Sequence, residues 1–137
     1  MVENDRVLVD SSVWIDFFRG TESAVSSIAS ITKTNRIVIC GQIKQEVLQG
    51  SRDLKAFQKL EKQMSIWDYE PEAPEDFTEA ARIFSQLRWK GITLPPSDCL
   101  VAALAKRLHL PLHTLDPDFN SIPDLPLLEN FKTKSNE

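Results

Sequence analysis

The sequence predicts an α/β domain in which helices cover a parallel sheet of about five strands. Three observations carry that expectation. Short, continuous apolar runs rich in Val and Ile alternate with segments of helical periodicity. Turn-forming Gly and Pro residues stand between them. Residues 98–105 form a helical stretch that is apolar almost all round, which makes it central.

The elements follow in order. Arg6-Val7-Leu8-Val9-Asp10 reads as a strand buried on both faces. Ser11-Ser12 offers N-cap chemistry for a short, mostly buried helix that Gly20 closes. A second helix covers about residues 21–32. Arg36-Ile37-Val38-Ile39-Cys40 repeats the strand signature, and a helix runs from Gly41 through Ile43, Val47 and Leu48 to Gly50. Leu54, Phe57, Leu60 and Met64 mark the next helix. Residues 65–68 predict a third strand, followed by a turn at Pro71 and Pro74. A helix opened by Pro74 then turns Phe77, Ala80, Ala81, Phe84 and Leu87 inward. After a loop over 91–96, Ser97 is expected to cap the central helix. Residues 110–115 predict a fourth strand, and Leu127-Leu128 a weak fifth. One domain over residues 1–131 is expected, with a frayed polar tail over 132–137.

Composition narrows the function. A 42% hydrophobic and 26% charged chain of 137 residues is neither disordered nor a disulfide scaffold. No window approaches the ~18 unbroken apolar residues of a membrane span. The charged start, Met1 to Arg6, lacks the apolar core of a secretory signal, so a cytoplasmic protein is expected. Cys40 and Cys99 lie in apolar segments and read as buried free thiols. The net charge of −4 argues against coating nucleic acid by bulk electrostatics.

Where the acids sit matters more than their sum. Asp10 ends the first strand, Glu46 lies early in the helix after the second, and Asp98 opens the central helix. Asp116 and Asp118 follow the fourth strand. Taken singly, each has a structural explanation: a cap, a dipole partner, a rim residue or a turn former. Taken together, four separate segments each deliver a carboxylate to one edge of the sheet, where such folds place their functional residues. Two carboxylates ~5 Å apart repel by about 3 kcal/mol at an effective dielectric near 20. Either some protonate or a cation sits among them. All-oxygen donors select Mg²⁺ or Mn²⁺, the apparatus of phosphodiester hydrolysis. Neither His109 nor His113 has zinc-ligand spacing to a cysteine.

Setting those five acids aside leaves 15 acidic against 16 basic side chains. A basic stripe of Arg52, Lys55, Lys59 and Lys62 is expected on one helical face, where it reads first as a solvated surface and second as a contact for RNA or a protein partner. The acid-rich stretch 68–79 reads as serving solubility and its helix N-terminus.

The segment Val9-Asp10-Ser11-Ser12-Val13-Trp14-Ile15-Asp16-Phe17-Phe18-Arg19-Gly20 resembles the opening signature of PIN-domain ribonucleases, specifically VapC-type toxins of toxin–antitoxin pairs. Three further blocks match in order: Gln45-Glu46-Val47-Leu48-Gln49-Gly50, Ser97-Asp98-Cys99-Leu100-Val101-Ala102-Ala103 and Thr114-Leu115-Asp116-Pro117-Asp118-Phe119. Together they span essentially the whole chain. The resemblance implies an α/β/α sandwich and Mg²⁺- or Mn²⁺-dependent cleavage of RNA. It assigns Asp10 and Asp98 as the most direct metal ligands, with Glu46 and Asp116 supporting and Asp118 as the alternative to Asp116. It makes Ser12 and Thr114 hydroxyls that orient carboxylates. A small cognate antitoxin and a homodimer are implied as well.

Other classes fit less well. A phosphoacceptor receiver domain needs paired acids after its first strand, and an Asp-x-Asp phosphatase needs an acid where Ser12 stands. A non-catalytic PIN-like module binding RNA or protein is the remaining alternative, and loss of one acid would be its mark.

Overall fold

The computed structural model describes residues 5–129. Four parallel strands are ordered β3-β2-β1-β4: β1 (Arg6–Val9), β2 (Arg36–Ile39), β3 (Asp68–Tyr69) and β4 (Leu112–His113). Leu8 of β1 is flanked by Val38 of β2 and Leu112 of β4. Val7, Leu8 and Val9 are fully buried, as a strand covered on both faces requires.

Helices α1 (Ser11–Phe18) and α2 (Glu22–Thr32) connect β1 to β2. Helices α3 (Gly41–Gln49) and α4 (Leu54–Met64) connect β2 to β3. Helices α5 (Pro74–Trp89) and α6 (Pro96–Leu108) lead to β4, and a 3-10 turn over Pro117–Ser121 follows. The chain therefore steps outward from β1 through β2 to β3, then returns to the other side of β1 with β4. That reversal opens a crevice at the carboxyl ends of β1 and β4. Asp10 and the segment 114–118 emerge there.

Helix α6 is buried continuously from Asp98 to Ala105 and packs against α3 and α5. Trp14 of α1 is fully buried in an aromatic nest, its ring centroid 5.1 Å from Trp67 and 5.6 Å from Phe17. Cys40 and Cys99 are buried and free. Burial pushes the Cys40 thiol up to about 12, with the Glu72 charge adding to it. No helix among the described residues is long and apolar enough to cross a membrane.

Several local expectations are corrected. The fifth strand reduces to an isolated bridge between Leu112 and Leu127, leaving a four-stranded sheet. The third strand begins at Asp68, because Ser65 ends α4 and Trp67 turns inward to Trp14. β4 is only two residues long, because Thr114 leaves the ladder to hydrogen-bond Asp10. Ser11, Ser12 and Ser97 lie inside their helices, and the N-cap positions belong to Asp10 and Pro95, neither with a side-chain cap bond.

Helix α5 turns Asp76, Ala80, Ile83 and Leu87 inward, so Phe77 is 58% exposed and Ala81 faces out. Asp76 sets that rotation through its pairing with α6. On α4 only Met64 is buried, and Leu54 is 70% exposed. Arg52 precedes α4, which Asp53 caps through the Ala56 amide, so Arg52 does not share the helical face of Lys55, Lys59 and Lys62. The tail 132–137 and the domain limits at residues 1 and 131 lie outside the described residues.

Candidate active site

Asp10 enters the crevice from the end of β1, where the strand hands over to α1. Its carboxylate is buried and its Oδ2 accepts two hydroxyls, Ser12 Oγ at 2.8 Å and Thr114 Oγ1 at 2.9 Å. The two hydroxyl oxygens are themselves 3.3 Å apart. The Leu115 amide donates to Ser12 Oγ at 3.1 Å, and the Asp116 amide donates to Thr114 Oγ1 at 3.0 Å. Among the described residues both side-chain donors to Asp10 reach Oδ2, which leaves its other oxygen to the crevice.

Asp116 caps the 3-10 turn, accepting the Asp118 amide on Oδ1 at 2.9 Å. That bond draws Asp118 back toward Asp116. Asp98 comes in from the first turn of α6, held in place by the burial of every residue that follows it up to Ala105. Asp98, Asp116 and Asp118 each present an oxygen within 4.8 Å of the others. Both acids of the 114–119 block thus lie with Asp98, while Asp10 and Glu46 stand outside that tightest trio.

Glu46 is half-buried on α3, where the polar side chains of Gln42 and Ser11 favour its charged form. Burial raises its pKa above the ordinary glutamate range, and the charge of Asp10 adds to the effect. All five acids named from the sequence therefore act in one electrostatic neighbourhood. Asp98 registers it most strongly. Burial pushes its carboxyl up to about 7, reinforced in turn by the charges of Asp116, Asp10, Glu46 and Asp118. Every charge acting on it is another carboxylate.

One atom tests whether a metal fits. Among the described residues, only Trp14 Nε1 and Asp98 Oδ2 are buried side-chain polar atoms without a hydrogen-bond partner. An orphaned, buried carboxylate oxygen costs several kcal/mol as an anion. Facing four further acids, it is chemically a ligand waiting for a cation. The donor set is all oxygen, which fits a hard divalent ion and not zinc.

Lys55, Lys59 and Lys62 are exposed along α4, outside this crevice. Sequence reasoning missed Gln42 and Ser11. The four-residue spacing of Gln42 and Glu46 on a helix was the available signal for the first. The stretch 68–79 does serve its helix N-terminus, where Asp76 accepts the Ala73 amide at 2.8 Å, but its acids do more than that. Glu72 accepts the Gly41 amide at 3.1 Å and the Gln42 amide at 2.7 Å. Asp76 is 1% exposed and takes Arg107 Nε at 2.7 Å and Nη2 at 3.0 Å. Asp76 thus ties α5 to α6, and Glu72 ties the segment before α5 to α3.

Comparison with known proteins agrees with this geometry. The family described as PIN domain matches residues 7–125. VapC ribonuclease Mb1587 of Mycobacterium bovis is 31% identical over 132 residues, covering 90% of this chain and 96% of its own. Ribonuclease VapC11 of Mycobacterium tuberculosis has the same identity and coverage. Among solved structures, VapBC2 from Rickettsia felis, bound to a DNA fragment from its promoter, superposes with a TM-score of 0.77 at 19% identity. It covers 89% of this chain and 96% of that one. VapC20 of Mycobacterium tuberculosis, described as a sarcin-ricin loop cleaving toxin, gives 0.68 at 14% identity, covering 84% and 93%. The chain belongs to the PIN domain family, among the VapC ribonucleases.

Proposed function

We propose that this protein is a divalent-metal-dependent endoribonuclease, the toxin of a toxin–antitoxin pair. The observation that carries the proposal is Asp98 Oδ2, buried without a partner among four other carboxylates. Asp98, Asp116 and Asp118 would hold Mg²⁺ or Mn²⁺, with Asp10 and Glu46 completing the anionic set. When bound, such an ion lowers the pKa of a coordinated water and neutralises charge that grows on the scissile phosphate.

The chain's own residues prepare that chemistry. Ser12 and Thr114 fix the rotation of Asp10, and the Asp118 amide fixes Asp116. Gln42 and Ser11 favour the charged form of Glu46, whose role is to orient a water or a ligand. Preorganisation of this kind lets each acid meet the ion without rearrangement.

RNA is the proposed substrate, supported by the ribonuclease names of the 31%-identical relatives. A small cognate antitoxin is the proposed inhibitor, supported by the VapBC composition of the Rickettsia relative. A homodimer belongs to the same proposal, with the outward side chains of Phe77 and Ala81 as available apolar surface. The RNA substrate puts its work in the cytoplasm.

The test is incubation of the purified protein with total cellular RNA and Mn²⁺, with and without EDTA, followed by sequencing of the new ends. Discrete cuts that vanish with EDTA and with Asp98→Asn are expected. Absence of any metal-dependent cut would overturn the proposal.

A further inference from the structure

Helix α3 carries Glu46, yet its own N-terminus lacks a local cap. The N-cap position is Cys40, a buried thiol that makes no side-chain cap bond. The first amides of α3 are satisfied from elsewhere in the chain. Glu72, in the segment between β3 and α5, accepts Gly41 N–H on Oε1 at 3.1 Å and Gln42 N–H on Oε2 at 2.7 Å. One carboxylate thus grips two successive amides at the positive end of the helix, the arrangement that dipole and capping chemistry favour.

Gly41 is shaped to this grip. A Cβ there would stand 2.7 Å from Glu72 Oε1 and 2.9 Å from Tyr69 Oη, closer than real contacts allow. Its backbone is ordinary helix, so the glycine answers to space and not to an unusual dihedral angle. The gripped residue Gln42 lies one helical turn before Glu46 on the same helix, so the two side chains share a face.

We infer that Glu72 is a positioning residue of the nuclease site: by clamping the first turn of α3 it sets the helix that carries the Glu46 carboxylate one turn on. The inference rests on the metal-dependent reading proposed above. Glu72 touches neither metal nor substrate. Its effect on them is transmitted through two hydrogen bonds and one short stretch of helix.

Glu72→Gln tests it. The amide keeps the shape of the side chain but sets an NH₂ group against one of the two backbone N–H donors. The readout is Mn²⁺ affinity of the RNA-free protein, by electron paramagnetic resonance of the free ion, beside circular dichroism and thermal melting. Supporting residues of metal sites typically change affinity by 10–100-fold, and a loss of about tenfold is expected here. Cleavage should recover in part at high Mn²⁺, as a KM-type effect on the metal demands.

Gly41→Ala is the second variant, and it keeps Glu72. Helix propensity alone would make that change neutral or stabilising. Displacement of the clamp predicts the same loss of Mn²⁺ affinity. Wild-type affinity in a folded Glu72→Gln or Gly41→Ala protein overturns the inference and leaves the nuclease reading standing. Failure of the wild-type protein to bind Mn²⁺ overturns both.

Discussion

Thr114 Oγ1 donates to Asp10 Oδ2 at 2.9 Å, a bond that joins the exit of β4 to the exit of β1 across 104 residues of chain. The same hydroxyl oxygen accepts the Asp116 amide at 3.0 Å. One threonine therefore connects two acids of the crevice, and it does so at the point where β4 abandons its ladder. Removing that hydroxyl should loosen Asp10, leaving it the Ser12 hydroxyl alone, without opening a cavity. Thr114→Val is expected to slow RNA cleavage by 10–100-fold while the melting temperature moves little. Thr114→Ser should restore most of the rate. Wild-type rates in the valine protein would reduce the bond to a structural detail.

Asp98 couples the site to stability. Its folded pKa, about 7, lies well above that of the unfolded chain, so ionised Asp98 opposes folding. The opposition is full above pH 7 and fades as pH falls through 7 toward the ordinary aspartate range. Glu46, also raised, acts in the same direction. Metal-free protein should accordingly melt at a higher temperature at pH 5.5 than at pH 8. At pH 8, Asp98→Asn should stabilise it by on the order of 2 kcal/mol while abolishing cleavage. Saturating Mn²⁺ should flatten the pH trend in the wild type, because metal displaces protons from the ligands. Urea denaturation of the two proteins with and without Mn²⁺ measures all of this. A less stable asparagine variant would remove the premise of crowded charge.

Asp76 works in the opposite sense. Burial alone would raise its pKa, but the Arg107 guanidinium and the Ala73 amide outweigh it and hold the carboxyl below the usual range. Its contribution is present above the unfolded aspartate pKa and is lost as pH falls through the folded value. Metal-free stability should then peak in mildly acidic solution and fall again under stronger acid. Arg107→Ala strands a buried carboxylate against the α5–α6 interface and should cost about 3 kcal/mol. The double variant Asp76→Asn with Arg107→Ala should recover part of that loss. A denaturation midpoint unchanged by Arg107→Ala would contradict the pairing.

These residues also mark how far local pattern reaches. Asp10, Asp98, Asp116 and Asp118 were legible because each sits by a strand end or helix start that short-range periodicity locates, and Glu46 because it borders the apolar stripe of Ile43 and Val47. An acid on the inward stripe of an apolar helix, as at Asp98, is conspicuous by itself. Glu72 and Asp76 were not legible as clamps, since each finds its partner 30 or 31 residues away through tertiary folding. On α5 the inward face was legible at Ala80, Phe84 and Leu87 but not at its start: Phe77 is the stronger hydrophobe, yet the Asp76–Arg107 pair turns Asp76 inward and leaves Phe77 and Ala81 outside. The weak strands β3 and β4 are two residues each, too short for any pattern to define their limits.

The α4 face presents a separate question, that of affinity. Lys55 and Lys59 are exposed one helical turn apart, and neither takes part in an ion pair among the described residues. If both meet phosphates of single-stranded RNA, each contributes about 0.7 to the slope of log affinity against log salt. Replacing them with Glu should therefore lower the magnitude of that slope by about 1.4 and weaken binding at 50 mM salt by more than tenfold. The measurement is a salt titration of RNA binding by the Asp98→Asn protein, which holds substrate without cutting it. The Lys55→Glu and Lys59→Glu pair, added to that background, should leave the fold and the melting temperature intact, because both side chains lie in solvent. Parallel salt plots would assign this face to solvation, and a slope reduced in proportion to the charges removed would assign it to the RNA backbone.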